Sequence, residues 1–305
     1  MDTGDVHVVT GAFGFTGYAI TRRLVDAGIR VRTLVRNPNR PNPFGDRVDV
    51  APYRFDNLTA LVRSLQGAAV LYNTYWVRFA HGRTTFDQAV ANTRMLIQAC
   101  VAAGVPRIVQ LSVANASEDS SLPYYRGKGA VERAVKESTL SYAILKPALV
   151  FGPGDILVNN IAWFLRHAPV FAIMGAGGYR LQCVHVDDLA EVAVHVAGRS
   201  ENTAMDIVGP ETFTFDGFVR LIADRVRSHA RIVHLPAEIV WGLLAAASLV
   251  VRDIVLTRHE IAALTSNLLA TRSAPVGRTR FADWLDEHAP DLGRKYASEL
   301  ARHYR

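Results

Sequence analysis

Two side chains near the middle of the chain have the types and spacing needed for proton transfer. Tyr124 and Lys128 are four residues apart, so a helix through this segment places them on one face. A free phenol has a pKa of about 10, which is too high for efficient proton exchange near neutral pH. A neighbouring ammonium favours the phenolate and lowers that pKa. The pair therefore predicts a catalytic acid–base tyrosine supported by a lysine, with Tyr125 pointing away from the shared face.

A glycine-spaced turn near the start of the chain predicts a dinucleotide site. The β-branched run Val6–Thr10 leads into this turn, and an apolar helical pattern follows at once. Gly11 allows a tight turn, Gly14 lets the backbone approach a pyrophosphate, and Gly17 lets the helix pack close to the sheet. The helix N-terminus offers free N–H groups to phosphates. The alternative is a purely structural turn. The loop residues expected to bind the cofactor are Gly11, Phe13, Gly14, Phe15, Thr16 and Gly17.

The residue after the second predicted strand indicates which dinucleotide is bound. An acidic residue there binds the 2′-hydroxyl of NAD, whereas a basic residue can hold the 2′-phosphate of NADP. Arg36 follows the strand Val31–Val35, with Arg40 nearby, and no acidic residue lies between Asp26 and Asp46. The sequence therefore favours NADP(H) over NAD(H). The alternative is that Arg36 is a solvated surface charge.

Asp56 and Asn57 follow the third predicted strand, where the edge of an adenine would lie. Both are therefore candidate cofactor ligands. Asn57 is equally plausible as the N-cap of a short helix that follows it.

Strands and helices alternate over residues 6–147, which predicts an α/β fold with a Rossmann-like, doubly wound parallel sheet. We assign residues 1–150 to an NAD(P)-binding domain and residues 151–305 to a smaller, mainly helical substrate lobe, interleaved with the first. Within that lobe, Asp187 is expected to cap a helix. The apolar run from Ile239 to Val251 is interpreted as a core helix or lid in preference to a membrane anchor.

Composition excludes several classes of protein. The net charge is +6, but the basic residues are scattered and no basic run alternates with aromatics, so nucleic-acid binding is not supported. Cys100 and Cys183 lack a CxxC or His/Cys partner, which predicts buried free thiols in a reducing compartment and no metal site. Because the first predicted strand begins so close to Met1, we expect no signal peptide. We expect a cytoplasmic protein without a transmembrane segment, for which peripheral membrane contact stays open.

These features resemble the short-chain dehydrogenase/reductase superfamily, and more closely its atypical extended branch, which includes the NADPH-binding accessory subunit of respiratory complex I and bacterial relatives. The resemblance implies a nicotinamide cofactor and a role for the Tyr/Lys pair, with Lys128 also holding the nicotinamide ribose. It adds Asn73, Thr74 and Pro147 to the expected cofactor contacts. Lys146 stands where the superfamily more often has arginine. The segments that carry the resemblance are residues 10–17, 72–79, 124–128, 145–153 and 184–190.

The superfamily binds the substrate oxygen with a serine or threonine just after the fifth strand, and Ser112 lies in that region. A shift of one or two residues would instead place Val113 or Ala114 there, and Ser117 is a further alternative. Ser112 could also simply cap backbone at the strand end. On the preceding long helix, Asn92 is the candidate for the superfamily's structural asparagine, with a surface role as its alternative.

Two hypotheses about function follow. As an enzyme, the protein would pass hydride between NADP(H) and a carbonyl, alcohol or nucleotide-sugar-like substrate, using Tyr124, Lys128 and Ser112. Aromatic residues, Trp76 and Phe79 among them, could line an apolar substrate cavity. As a binding protein, it would hold NADP(H) structurally and stabilise a protein partner or a homo-oligomer. The resemblance is compatible with both.

Overall fold

The computed structural model describes residues 5–39 and 41–303, so Arg40 lies outside the described residues. The chain divides into two compact units. The first comprises Met1–Pro147 and Val186–Ile207, and the second comprises Ala148–His185 and Val208–Arg305.

The first unit contains a sheet of seven parallel strands in the order β3-β2-β1-β4-β5-β6-β10. The strand order reverses between β1 and β4, the place where open α/β sheets bind their ligands. All five residues of β5 are buried, as expected for a strand covered on both faces. The strands are β1 (Val6–Thr10), β2 (Arg30–Val35), β3 (Val48–Pro52), β4 (Ala68–Asn73), β5 (Arg107–Leu111), β6 (Ser141–Pro147) and β10 (Thr203–Ile207).

Helices connect these strands, and their ends follow from local sequence. Thr85 caps the long helix by accepting from Gln88 N, and Gly104 ends it in the left-handed conformation. Pro123 occupies the first turn of the helix that carries Tyr124, where proline is favoured. The helices of this unit are α1 (Phe15–Asp26), α2 (Leu58–Leu65), α3 (Phe86–Ala103), α4 (Pro123–Lys136) and α6 (Val186–Ala197).

The predicted fold class is confirmed, whereas the predicted cap at Asp187 is wrong. Helix α6 begins at Val186, so Asp187 lies inside its first turn. There its carboxylate pairs with Arg22 of α1 at 2.6 Å, and an acidic residue in this turn is favourable to the helix dipole.

The second unit is built around an aromatic core that includes Phe151, Phe218, Phe281 and Trp284. It contains a three-stranded sheet in the order β11-β9-β7 and a parallel pair of β8 and β12. The strands are β7 (Leu149–Phe151), β8 (Val170–Met174), β9 (Arg180–His185), β11 (Thr212–Thr214) and β12 (Arg231–Leu235). The helices are α5 (Ile156–His167), α7 (Phe215–Arg225), α8 (Ala237–Val251), α9 (Arg258–Thr265), α10 (Phe281–His288) and α11 (Glu299–His303). That this unit binds substrate stays a prediction.

The expectation that the apolar run from Ile239 forms a core helix is wrong, and its alternative as a lid stays a prediction. The run does form a helix, α8, but Val240 is its single buried residue. Leu249 and Val250 are 80% and 79% exposed. No helix in the described part of the chain is long and apolar enough to span a bilayer.

Candidate functional site

The glycine loop connects β1 to α1 with a geometry that requires glycine at positions 11 and 17. Gly11 has a φ of +67°, in the left-handed region, and its N–H donates to Leu34 O at 2.9 Å. A Cβ on Gly17 would lie 2.2 Å from Gly11 O, so the helix could not approach the loop with any larger residue. A Cβ on Gly14 would lie 3.3 Å from the same oxygen. The loop is therefore as compact as a dinucleotide-binding turn requires.

The first turn of α1 is suited to receive phosphate. Gly14 is its N-cap and supplies no side-chain acceptor, and no acidic residue lies in the first turn. The first N–H groups of the helix therefore have neither a capping side chain nor a carboxylate, and they carry the positive end of the helix dipole. These features fit a pyrophosphate. Phe13, Phe15 and Thr16 are each partly exposed beside this turn.

A polar network supports the glycine loop from the strand ends. Two of its members, Thr10 and Gln110, were not predicted from the sequence. Thr10 Oγ1 donates to Asn73 Oδ1 at 3.0 Å, and Asn73 Nδ2 donates to Gln110 Oε1 at 2.8 Å. The Thr74 hydroxyl in turn donates to Thr10 O. The network thus joins the carboxyl ends of β1, β4 and β5. Asn73 and Thr74 therefore hold the loop in shape, and their predicted contact with the cofactor stays a prediction.

Thr33 was also missed, although it fixes the loop from β2. Its buried hydroxyl donates to Val9 O at 2.9 Å and accepts from Ala12 N at 3.1 Å. Thr33 stands among the buried residues of β2, and a buried hydroxyl in such a place is typically bonded to backbone.

Arg36 directly follows β2 and is exposed, at the carboxyl edge of the sheet. It makes no ion pair with any residue of the described ranges 5–39 and 41–303. Burial raises the pKa of Tyr75, and the hydrogen bond with Asn92 and the charge of Arg36 oppose this effect. A solvent-facing guanidinium here is available for a 2′-phosphate.

An aromatic cluster lies next to this position, formed by Tyr53, Phe55 and Tyr75. The rings of Tyr53 and Phe55 stack with centroids 5.0 Å apart, and Tyr75 lies 5.5 and 5.1 Å from them. Asn92 Nδ2 donates to the Tyr75 hydroxyl at 2.8 Å, so this predicted structural asparagine holds the cluster. The Tyr53 hydroxyl lies 3.8 Å from where a Cβ on Gly11 would be. Tyr53 was not predicted from the sequence to lie at the site.

Asn57 acts as a helix cap. Its Oδ1 accepts from Ala60 N at 2.9 Å and it begins α2. Asp56 is exposed beside it. The position of Asn57 is explained by its role as the N-cap of α2. Contact of Asp56 or Asn57 with adenine stays a prediction.

The Tyr124–Lys128 pair lies on α4, one helical turn apart, as the spacing predicts. Lys128 is 3% exposed, and its Nζ donates to Leu111 O at 2.9 Å, at the carboxyl end of β5. Burial lowers the pKa of Lys128 to about 7, and the nearby Glu132 carboxylate opposes this effect. Tyr124 is only partly buried, so its ring is open to a ligand. Tyr125 is 3% exposed and is therefore a packed residue of the unit.

The indole of Trp76 covers the lysine. Lys128 Nζ lies 4.5 Å from the centre of the Trp76 ring, a cation–π distance. Trp76 can pack here because α4 has a glycine at 127, where a Cβ would lie 3.1 Å from the ring. Trp76 and Phe86 each meet Tyr124 edge to face, at 6.0 and 5.9 Å between centroids. The Tyr124 ring is thus packed against two aromatic side chains.

Ser112 is buried, and its hydroxyl is already used. Ser112 Oγ donates to Glu132 Oε1 at 2.5 Å, and its N–H donates to Leu145 O. A hydroxyl has one proton to donate, so in this arrangement it cannot also donate to a substrate oxygen. This geometry supports the alternative that Ser112 is structural, and its catalytic role stays a prediction.

Of the other positions considered for the serine, Ser117 carries a hydroxyl, and Val113 and Ala114 do not. Val113 and Ala114 are apolar and buried, and Ala114 N donates to Pro147 O at 2.8 Å. Ser117 Oγ accepts from Asp119 N in a turn. A Cβ on Gly129 would lie 2.6 Å from Ser117 C, so this loop packs directly on α4.

Pro147 ends β6 and is buried. Its carbonyl accepts from Ala114, which ties the loop after β5 to the end of β6. Lys146 Nζ lies 3.3 Å from Asp206 Oδ1, across the β6–β10 pair. The nicotinamide contact expected of Pro147 stays a prediction.

Both cysteines are buried free thiols, as predicted. Burial raises the pKa of Cys100 to about 12, so it is unreactive near neutral pH. Among the described residues no group of three or more His, Cys, Asp or Glu side chains could hold a metal ion.

Comparisons with known proteins agree with this geometry. Residues 11–153 match the NAD(P)H-binding family. The chain is 25% identical over 291 residues to the mitochondrial NADH dehydrogenase (ubiquinone) 1 alpha subcomplex subunit 9 of Arabidopsis thaliana, covering 89% of this chain and 72% of that protein. It is 28% identical over 253 residues to a ceramide reductase of Caulobacter vibrioides, covering 82% of this chain and 78% of the relative.

Among solved structures, a triphenylmethane reductase of Citrobacter sp. shares the fold with a TM-score of 0.76 at 19% identity, over 93% of this chain and 99% of the other. The same reductase in complex with NADP(H) gives a TM-score of 0.73 at 20% identity, with the same coverage. At these identities the likeness shows the fold alone. From the family match over residues 11–153, the glycine loop and the strand order, this part of the chain is an NAD(P)H-binding domain of the Rossmann type, and the chain as a whole is similar to a complex I subunit, to reductases and to epimerases.

Proposed function

We propose that the protein is an NADPH-dependent reductase of an apolar carbonyl compound, with Tyr124 as the proton donor and Lys128 as its electrostatic support. The observation that carries this proposal is the buried lysine one helical turn from a partly exposed tyrosine, at the carboxyl end of β5. Burying an ammonium is costly unless it is paired, and groups with such costly environments cluster at functional sites. The pKa of Lys128, lowered to about 7, is typical of a residue at a functional site.

The residues have separable roles. The glycine loop and the N-terminus of α1 bind the pyrophosphate, and Arg36 holds the 2′-phosphate. When bound, NADPH supplies the hydride that adds to the carbonyl carbon. Tyr124 Oη donates its proton to the carbonyl oxygen, leaving a phenolate that Lys128 stabilises while it is charged. An ammonium has three donors; one is used on Leu111 O, and the others are available to the nicotinamide ribose.

The aromatic setting indicates the class of substrate. Trp76 and Phe86 meet the Tyr124 ring edge to face, so a substrate that reaches the Tyr124 hydroxyl passes apolar surfaces. The similarity to a protein named as a ceramide reductase supports reduction of an apolar compound. A screen of aldehydes, ketones, quinones and nucleotide sugars, followed by NADPH consumption, tests the proposal. Turnover of apolar carbonyl compounds is expected, and turnover of nucleotide sugars alone would contradict the substrate class.

A second candidate function is a structural role for NADP(H), without turnover, in a protein that stabilises a partner complex. Two observations favour it. One is the similarity to a complex I subunit over 89% of this chain. The other is the engagement of the Ser112 hydroxyl by Glu132. Tightly bound, non-exchanging cofactor together with no active substrate in the screen would favour this second function.

A further inference from the structure

Helix α8 presents an apolar face to solvent. Ile239 and Leu243 are 51% and 49% exposed, and Leu249 and Val250 are 80% and 79% exposed. With Gly242 and Ala246, both also exposed, these residues recur at the three- and four-residue spacing that forms one face of a helix. In a helix of a globular protein this face normally packs on the core. We call this surface the α8 face.

Exposure on this scale is concentrated in α8. In the described part of the chain, half of the large hydrophobic side chains that are exposed belong to it, including the two most exposed. Single exposed apolar residues are ordinary, whereas a contiguous apolar patch marks an interaction surface. The α8 face is therefore the strongest candidate for an interaction surface among the described residues.

The groups around the α8 face fit a lipid surface with negative charge. Glu238 is the single charged residue of α8 and lies in its first turn. At the other end Arg252 is exposed and caps the helix. A cationic residue at the end of an apolar helix face is typical of helices that lie in the membrane interface.

The size of the α8 face argues against a second copy of the chain. A helix of 15 residues is about 22 Å long and about 10 Å wide, so the face offers on the order of 200 Å². A stable protein–protein interface buries about 800 Å² on each partner. A lipid surface sets no such minimum, because apolar side chains enter it individually.

We propose that the α8 face docks the protein on the surface of an anionic membrane. The C-terminal half of α8 enters the lipid through Leu249 and Val250, and Arg252 meets the headgroup phosphates. The helix lies along the surface and does not cross the bilayer. This inference does not rest on the proposed reductase activity, and its test uses no substrate.

Flotation of the full chain with vesicles tests the proposal. Vesicles of phosphatidylcholine mixed with phosphatidylglycerol should bind the protein, and vesicles of phosphatidylcholine alone should bind it several-fold less. The double variant L249E/V250E should lower partitioning by about tenfold or more, since it removes two aliphatic side chains from the lipid contact. Arg252→Gln should weaken binding to the anionic vesicles by about fivefold. The matched control is L58E/V101E, which adds the same charges at exposed apolar positions on α2 and α3.

Equal loss of binding in L249E/V250E and L58E/V101E would overturn the proposal, because added charge alone would then explain it. Absence of wild-type binding to anionic vesicles would also overturn it. Light scattering provides a further check: a wild-type dimer that L249E/V250E converts to a monomer, without vesicle binding, would assign the α8 face to a second copy. Circular dichroism of each variant confirms that it is folded, which the exposure of all four positions predicts.

Discussion

The Nζ atom of Lys128 lies 4.5 Å from the centre of the Trp76 ring and 2.9 Å from Leu111 O. The ammonium is thus enclosed by an aromatic face and a strand end, with little access to water. Its pKa is lowered to about 7 by burial. The protein therefore carries a lysine whose charge changes within the physiological range.

Replacing Lys128 by Met should stabilise the protein near pH 7. The lysine pKa is about 10.4 in the unfolded chain and about 7 in the folded one. Between pH 7 and pH 10.4 the unfolded chain holds the lysine proton and the folded chain does not, so stability rises with pH. Below about pH 7 the lysine is charged in both states, and the folded state bears the full cost of the buried charge. This cost is lost as the pH rises toward about 10.4. We expect a gain of roughly 2–4 kcal/mol at pH 7, after subtracting the lost hydrogen bond to Leu111.

Urea unfolding of Lys128→Met and wild type at several pH values checks this prediction. The gap in unfolding free energy should shrink steadily from pH 7 upward. Lys136→Met, at a solvent-exposed position of the same helix, is the control and should show no such trend. A gap that does not change with pH would mean that Lys128 keeps an ordinary pKa.

Replacing Tyr124 by Phe should lower turnover by at least about 10², because general acid–base groups contribute about 10²–10⁴ in rate. Affinity for NADPH should be unchanged, since the ring packing with Trp76 and Phe86 is kept. Steady-state kinetics and calorimetry measure the two effects. Tyr125 is too deeply packed to serve as a silent control, so Tyr142→Phe on β6 replaces it. Turnover equal to that of wild type would remove Tyr124 from the mechanism.

Ser112→Ala distinguishes a structural serine from a catalytic one. Because Ser112 donates to Glu132, its loss should lower the unfolding free energy by about 1–3 kcal/mol. Turnover should stay within a few-fold of wild type. Ser117→Ala, in the neighbouring turn, should change neither quantity appreciably. A fall in turnover of about 10² or more, with stability unchanged, would instead assign Ser112 to the substrate oxygen.

Arg36→Ala should weaken NADPH binding by about 10- to 100-fold, the equivalent of one lost charge-assisted hydrogen bond. NADH binding should be unaffected, because NADH lacks the 2′-phosphate. Titration of both cofactors by intrinsic fluorescence gives the ratio of affinities. Arg30→Ala, an exposed arginine at the opposite end of β2, is the matched control. Preference for NADPH that survives in Arg36→Ala would place the 2′-phosphate elsewhere.

Two glycines of the loop should respond differently to substitution. Gly14→Val should fold, because Gly14 has an ordinary φ of −88° and its Cβ would be only slightly crowded. It should lose dinucleotide binding, because the valine side chain would occupy the space that the pyrophosphate needs. Gly17→Ala should destabilise the protein itself, since its Cβ would lie 2.2 Å from Gly11 O. Thermal unfolding and calorimetry separate the two effects. Normal cofactor binding by Gly14→Val would show that the loop is a structural turn.

The sheet and the glycine loop could be predicted from sequence because their signals are local. Strand and helix periodicity, and three glycines at fixed spacing, each depend on residues that are close along the chain. The network of Thr10, Asn73 and Gln110 could not be predicted in this way, because its members come from three strands whose alignment only the folded sheet sets.

The same limit applies to the catalytic pair and to α8. The spacing of Tyr124 and Lys128 was visible, but the covering Trp76 comes from a loop without periodicity. Ser112 and Glu132 are hydrogen-bonded although they are twenty residues apart in the sequence. Apolar composition predicted burial for α8, yet burial depends on which neighbours cover a helix, and composition carries no information about them.

The discontinuity of the first unit affects how the protein folds during synthesis. Strand β10 pairs with β6 through residues 203–207, yet the whole segment 148–185 is translated between them. Until that segment has left the ribosome, β6 is an open edge with unpaired backbone groups, which can recruit other chains. Slow translation across 148–185 should therefore promote aggregation of the nascent chain, and supplying Val186–Ile207 in trans should suppress it.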